Sequence, residues 1–282
     1  MCGAMACFIA NDGVVKYVSA SLPTAQLICM RSLMVALLVL MAARMSGATA
    51  RIGDATHRIV LVRALVDAVA TMLYLWSLFH LPIANASAIN LAAPLFMVLF
   101  AALFMGERVG TLRWLATGAG FAGVLLVIQP SADGFNLFGL VCLAATLLHA
   151  ARDLLTRRIP AGIPSILITL ATAVAASILS GIWSWIDGWQ AFHWREVALL
   201  LLAAALVAGG FFLIISSMRQ GEISLVAPFR YSGLLFALVI GYAVWRDVPN
   251  PLAWAGIALL FGSGLVVLQG ERYRRMAIAA RP

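Results

Sequence analysis

A small set of residues in this chain could do chemistry, and they recur at helical spacing. Arg63, Asp67, Thr71 and Tyr74 follow one another at steps of four, four and three, with His80 shortly beyond. Residues three and four apart share a helix face. The spacing permits an Arg63–Asp67 ion pair that neutralises itself. It also offers a carboxylate, a hydroxyl and a phenol to one ligand. Cys142, Thr146, His149 and Asp153 repeat the pattern at steps of four, three and four. Such a stripe serves polar contact between helices or lines a cavity. His149 and Asp153 supply two metal ligands, where zinc sites take three or four from the protein. No metal and no cofactor is expected.

Three further segments carry polar groups. Asn11, Asp12 and Lys16 sit together, and Asp12 and Lys16 are four apart, the spacing of an ion pair. Asn85, Ser87 and Asn90 precede Pro94, whose ring removes a backbone hydrogen bond and frees the carbonyl near Asn90. Ser224, Pro228, Arg230, Tyr231 and Ser232 are a second proline-interrupted polar segment. Arg230 is the candidate for a carboxylate, because a guanidinium can pair with it through two parallel hydrogen bonds. A carbonyl-bonded structural arginine is the competing reading. Arg31 is read as packing structurally or snorkelling.

The elements that must position these groups are apolar runs. The 282 residues are 63% hydrophobic and 11% charged, with mean hydropathy +1.01. A soluble domain carries about 25% charged residues. Ten runs near 2–18, 24–43, 59–79, 84–105, 112–129, 135–156, 164–186, 195–218, 223–245 and 251–269 approach the about 20 residues that cross a bilayer. The fold class expected is an all-α membrane protein of ten transmembrane helices. Inside a bilayer an ionisable group is a candidate for function by default, which makes Asp12, Asp67 and His149 the candidates for coupling to a proton.

The net charge of +8 sits in short loops, so nucleic acid is not the expected partner; membrane lipid and a small-molecule substrate are. Twelve arginines fall in the connections near 44–58, 106–113, 157–163 and 219–222 and in the tail after 270. The alternate connections hold Arg195 and Arg246. Basic loops stay cytoplasmic, so both termini are expected inside a bacterial inner membrane. Seven of eight tryptophans lie toward the opposite ends of the spans, as an interfacial belt or a vestibule lining would. Cys2, Cys7, Cys29 and Cys142 are scattered without CxxC and read as small apolar residues. There is no GxxxxGK[ST] for ATP, no HExxH for a zinc protease and no TVGYG filter. No nucleophile–base spacing argues for an enzyme.

The chain also repeats. LAAPLFMVLFAALFMGER (91–108) with LATGAGFAGVLLVI (115–128) is similar to LLFALVIGYAVWRD (234–247) with GIALLFGSGLVVLQG (256–270), about 140 residues on. Five spans per half make the two copies inverted, the symmetry of alternating-access transporters. The halves are 1–130 and 131–270, followed by a basic tail over 271–282. Gly118, Gly120, Gly123, Gly262 and Gly264 allow close helix packing, within one protomer or at a dimer face; a monomer or weak homodimer is expected.

Five-span repeats, a span ending LFMGER and a glycine-spaced span after it resemble the drug/metabolite transporter superfamily, EamA type. The resemblance covers nearly the whole chain. It departs in the second half, where Trp245-Arg246-Asp247 stands where the family often has Gly-Glu. It implies a ten-helix secondary transporter, usually an exporter of metabolites, with the aromatic and hydrophobic amino-acid exporters as the leading subgroup. Substrate contacts are expected from Asn11, Asp67, Tyr74, His80, Asn90, Thr146, His149, Phe211, Arg230 and Tyr231, with aromatic walls added by Phe212 and Phe229. The alternatives are an exchanger of anionic sugar-phosphate or nucleotide-sugar solutes, or a membrane scaffold that transports nothing.

Overall fold

A computed structural model describes residues 1–104, 110–128, 137–156, 158–160, 162–220, 229 and 231–279. Among these residues the chain is helical throughout, with no strand. Helices α1 (Cys2–Val18), α2 (Thr24–Met45) and α3 (Arg58–His80) come first, with a 3₁₀ segment over Ala48–Thr56 between α2 and α3. Then follow α4 (Ile83–Asn90), α5 (Ala93–Phe104), α6 (Thr111–Ile128), α7 (Leu137–Thr156), α8 (Ser165–Asp187) and α9 (Trp194–Gln220). The last are α10 (Ser232–Ile240), continued by a π-helical turn over Gly241–Trp245, and α11 (Pro251–Ala279). Leu and Ala favour helix, and because a helix satisfies its own backbone polar groups where water is absent, the Val-, Ile- and Gly-containing runs are helical too.

The starts are chemically marked. Pro23, Pro82 and Pro164 precede α2, α4 and α8 in extended conformation, and Asn250 Oδ1 caps α11 by accepting from Ala253 N at 2.8 Å. At the start of α9, Glu196 accepts from the His193 backbone N–H at 2.7 Å, half of a capping box. The expected fourth span is two helices. Pro94 has no N–H for the Asn90 carbonyl, and the chain turns at Leu91–Ala92 between α4 and α5.

Among the described residues six segments are long and apolar enough to cross a membrane: Thr24–Met45, Arg58–His80, Ile83–Phe100, Leu137–Thr156, Ser165–Asp187 and Trp194–Phe211. Trp114–Ile128, Ser232–Trp245 and Pro251–Val266 are shorter apolar helices. Exposed apolar stripes at steps of four mark the lipid-facing sides, Leu33, Leu37 and Met41 on α2 and Leu61, Leu65 and Val69 on α3.

Packing pairs α2 with α8, α3 with α7 and α8, α1 with α9 and α10, and α6 with α11. The main core runs from Val15 and Leu27 through Leu75, Leu78 and Ile83 to Leu95, and a smaller one joins α2, α8 and α9 around Val39, Leu170 and Val207. The glycines of α6 and α11 act inside the protomer. A β-carbon on Gly123 would lie 2.7 Å from the Gly256 carbonyl oxygen, so the two backbones touch. A β-carbon on Gly264 would overlap the Tyr231 hydroxyl. Gly118 and Gly262 face open space instead.

Candidate functional site

The helices enclose a cavity of about 430 Å³ lined from α1, α2, α3, α4, α5, α7, α8, α9 and α10. It is one-sided. Its lining comes from the N-terminal part of α3 and α8 (Arg63 to Tyr74, Thr169 to Ala176) and the C-terminal part of α7 and α9 (His149 to Asp153, Val207, Phe211). Towards the other end the bundle is solid: Leu27, Ile28, Leu75, Leu78, Ile83 and Leu200 are fully buried. There Gln26 is fully buried and bonds the Gln190 backbone twice, its Nε2 donating to the carbonyl and its Oε1 accepting from the N–H, both at 2.9 Å.

Two charged groups face the cavity. Nearer its rim, Asp67 is shared by two arginines. Arg63 Nη1 lies 3.1 Å from Oδ2 and Arg152 Nη1 2.8 Å from Oδ1. Arg152 also donates to Asp153 through Nε at 2.9 Å and Nη2 at 2.8 Å. Arg63 donates to Thr172 at 2.5 Å and to Thr156 at 3.2 Å, so the cluster ties α3 to α7 and α8. Two turns further along α3, the Tyr74 hydroxyl donates to Asp12 Oδ2 at 2.9 Å, and Asn11 Nδ2 donates to Asp12 Oδ1 at 2.9 Å. Arg31 Nη1 reaches Asn11 Oδ1 at 3.4 Å. His149 Nδ1 lies 3.1 Å from Asn90 Oδ1, which holds the α4–α5 break against α7. The walls are apolar and aromatic, with Phe8 and Phe211 edge-to-face at 5.3 Å.

The chain matches the EamA-like transporter family model over residues 1–129 and 137–269. The chain belongs to the EamA-like transporter family. The transporter is 28% identical over 256 residues to the pseudopaline exporter CntI of Pseudomonas aeruginosa strain UCBPP-PA14, covering 90% of this chain and 89% of the relative. It is 29% identical over 214 residues to a riboflavin transporter of Rhizobium johnstonii, 76% of this chain and 71% of that one. A solved crystal structure superposes with TM-score 0.62 at 19% identity, covering 96% of each chain. The protein is therefore a multi-pass membrane transporter of small molecules and not an enzyme.

Asn11, Asp12, Asp67, Tyr74, Asn90, His149, Phe211 and Tyr231 all line the transporter's cavity. Two expected contacts lie elsewhere. Thr146 is fully buried and its hydroxyl donates to the Cys142 carbonyl at 2.8 Å, so the upper half of that stripe packs between helices. His80 is exposed at the end of α3, stacked on Phe138 with ring centroids 3.9 Å apart. Phe229 is half exposed and not part of the lining. Arg230, Ser224 and Pro228 lie outside the described residues, as does the side chain of Phe212.

The expected Asp12–Lys16 pair does not form. Lys16 Nζ donates instead to the Leu81 carbonyl and stands 5.2 Å from the Trp245 ring centroid. Arg152 was missed by sequence reasoning, although an arginine three residues after His149 shares the face of the stripe. Arg31, expected to pack structurally or to snorkel, stands in the cavity wall. Among the described residues no group of three or more His, Cys, Asp or Glu could hold a metal ion.

Proposed function

We propose that this transporter exports small amphipathic metabolites, aromatic or hydrophobic amino acids above all, by alternating access around the central cavity. The observation that carries the reading is the cavity's balance. Asp12, Asp67 and Asp153 face Arg31, Arg63 and Arg152, beside apolar walls of Phe8, Met97 and Phe211. Equal numbers of acids and arginines suit a zwitterion with an apolar side chain. A phosphorylated solute needs several convergent cations, and Arg63 and Arg152 are already paired with carboxylates.

Two inverted five-helix halves, over 1–130 and 131–270, supply the machinery in this proposal. The near-equal segments that match the family model, 1–129 and 137–269, support that division, and so does the similarity of 91–128 to 234–270. Both termini are cytoplasmic, on the arginine count of the loops. The hollow end of the cavity then faces the cytoplasm and Gln26–Gln190 closes the periplasmic side. The similarity to an exporter over nine-tenths of the chain favours the outward direction. Gly123 and Gly256 are consumed in packing α6 on α11, which favours a monomer. The deciding experiment is efflux from vesicles reconstituted with the purified protein, aromatic amino acids against sugar phosphates. Efflux of the amino acids is expected; efflux of sugar phosphates alone overturns the substrate class. Orientation is checked with a cysteine at Ser46 after the native Cys2, Cys7, Cys29 and Cys142 are replaced. An impermeant reagent added outside cells should not label it.

A further inference from the structure

Arg31 stands out among the cavity's cations. It is 7% exposed, in the middle of α2. Burying a guanidinium is costly unless every donor is met. Arg63 and Arg152 are paired with Asp67, Asp153 and threonine hydroxyls. Arg31 is not. Its Nη1 has the 3.4 Å contact to Asn11, at the outer limit of a hydrogen bond. Its Nε is buried with no hydrogen-bond partner among the described residues. Among the described residues no carboxylate stands within 4.0 Å of it. Asp12 is turned to other partners, Asn11 and the Tyr74 hydroxyl. Asn11 thus stands between a buried cation and a buried anion, accepting from one and donating to the other. Both charges line the cavity.

We infer that Arg31 and Asp12 form the head-group site for a zwitterionic α-amino acid, the ligand carboxylate meeting Arg31 and the ligand ammonium meeting Asp12. The chemistry fits each partner. A carboxylate would give the unpartnered Nε and a terminal nitrogen of Arg31 the two parallel bonds a guanidinium fork is shaped for. The two oxygens of Asp12 have about four acceptor sites between them. Asn11 and Tyr74 occupy two of these, so an ammonium can still be received. Asn11 holds the two poles at a set spacing, which selects for a carboxylate and an amine on neighbouring atoms. Met5, Phe8, Phe211 and Tyr231 then receive the side chain. The inference rests on the amino-acid reading above but names the recognising residues, and it stands for any side chain.

The test is direct binding to the purified full-length transporter, separate from transport. The probes are a panel of aromatic, aliphatic and polar L-amino acids, each with its amide, and indole-3-propionate, which keeps the ring and carboxylate of tryptophan without the amine. Wild type should prefer amino acid over amide by roughly ten- to hundred-fold, the value of one charge-assisted pair. Arg31→Gln should bring that ratio to about one, and Arg31→Lys, which keeps the charge but not the fork, should leave it in between. Asp12→Asn should abolish the preference for tryptophan over indole-3-propionate and leave the amide ratio standing. A retained amide ratio in Arg31→Gln overturns the site. So does a wild type that binds none of the amino acids. If only aliphatic or polar members bind, with an Arg31-dependent ratio, the head-group site holds and the aromatic substrate class falls. The conservative Arg31→Lys and the wild-type ratio itself keep the inference testable should Arg31→Gln not fold.

Discussion

Arg152 and Arg31 reach the same cavity, and the helices around them treat them in opposite ways. Arg152 bonds two carboxylates, Asp67 and Asp153, and Asp67 in turn holds Arg63. That cluster needs nothing from a ligand. Arg31 has one long bond and one unpartnered nitrogen. A closed cluster ties α3, α7 and α8 together, whereas an open one is poised for something that arrives. The difference teaches that charge within an apolar bundle is no guide to function until its partners are counted.

The largest expected effect tests the closed cluster. Asp67→Ala leaves Arg63 and Arg152 facing each other without their shared carboxylate. Breaking such a buried pair costs about 3–5 kcal/mol, so the folded yield in detergent should collapse and the unfolding midpoint fall. A variant as stable as wild type would dissolve the contrast. Arg31→Met should move stability the other way or not at all, because exchanging an under-paired buried ion for an apolar side chain is neutral or stabilising by about 1–4 kcal/mol. Its vesicle efflux should nevertheless fall by at least roughly ten-fold. A matched loss of stability would make Arg31 structural.

Tyr74→Phe sharpens the comparison inside the open group. It removes one hydrogen bond to Asp12 and should lower stability by about 0.6–1.7 kcal/mol, the range for polar bonds between membrane helices. The preference for amino acid over amide should survive, since Arg31 is untouched. The smallest effect is expected at the solid end. Gln26→Leu gives up two bonds to the Gln190 backbone, yet apolar neighbours such as Leu27 and Ile28 remain. Ligand preference measured at equilibrium should not change, and only efflux rate should shift. A change of preference would show that this end also touches the ligand.

Much of the helical layout was legible along the chain. Apolar runs marked α1 to α3 and α6 to α9 to within a few residues, Pro94 marked the break between α4 and α5, and α11 runs ten residues past its expected end. Arg63 and Asp67, four apart, meet at 3.1 Å as that spacing allows. Asp12 and Lys16, also four apart, do not meet. Equal spacing places two side chains on one face, but each then takes the best partner that packing brings near. For Lys16 that is the Leu81 carbonyl and the Trp245 ring, 65 and 229 residues away in sequence. The stripe on α7 divides for a similar reason. His149 and Asp153 reach the cavity, while Thr146 bonds its own helix where α4 packs close.

By itself the sequence determined that this chain is a bundle of apolar helices with polar faces, since period and composition are local properties that a helix in lipid must obey. It also carried the family, through a motif intact in the first half and altered at Trp245-Arg246-Asp247 in the second. Only the tertiary structure decided which polar faces meet. Asn11 bridges Arg31 and Asp12, and Asp67 lies between Arg63 and Arg152, because α1, α2, α3 and α7 each turn a polar face to the same cavity, although α1 and α2 pack mainly on α8, α9 and α10. Whether a buried charge is satisfied depends on partners from other helices, and that information is not local to any stretch of the chain.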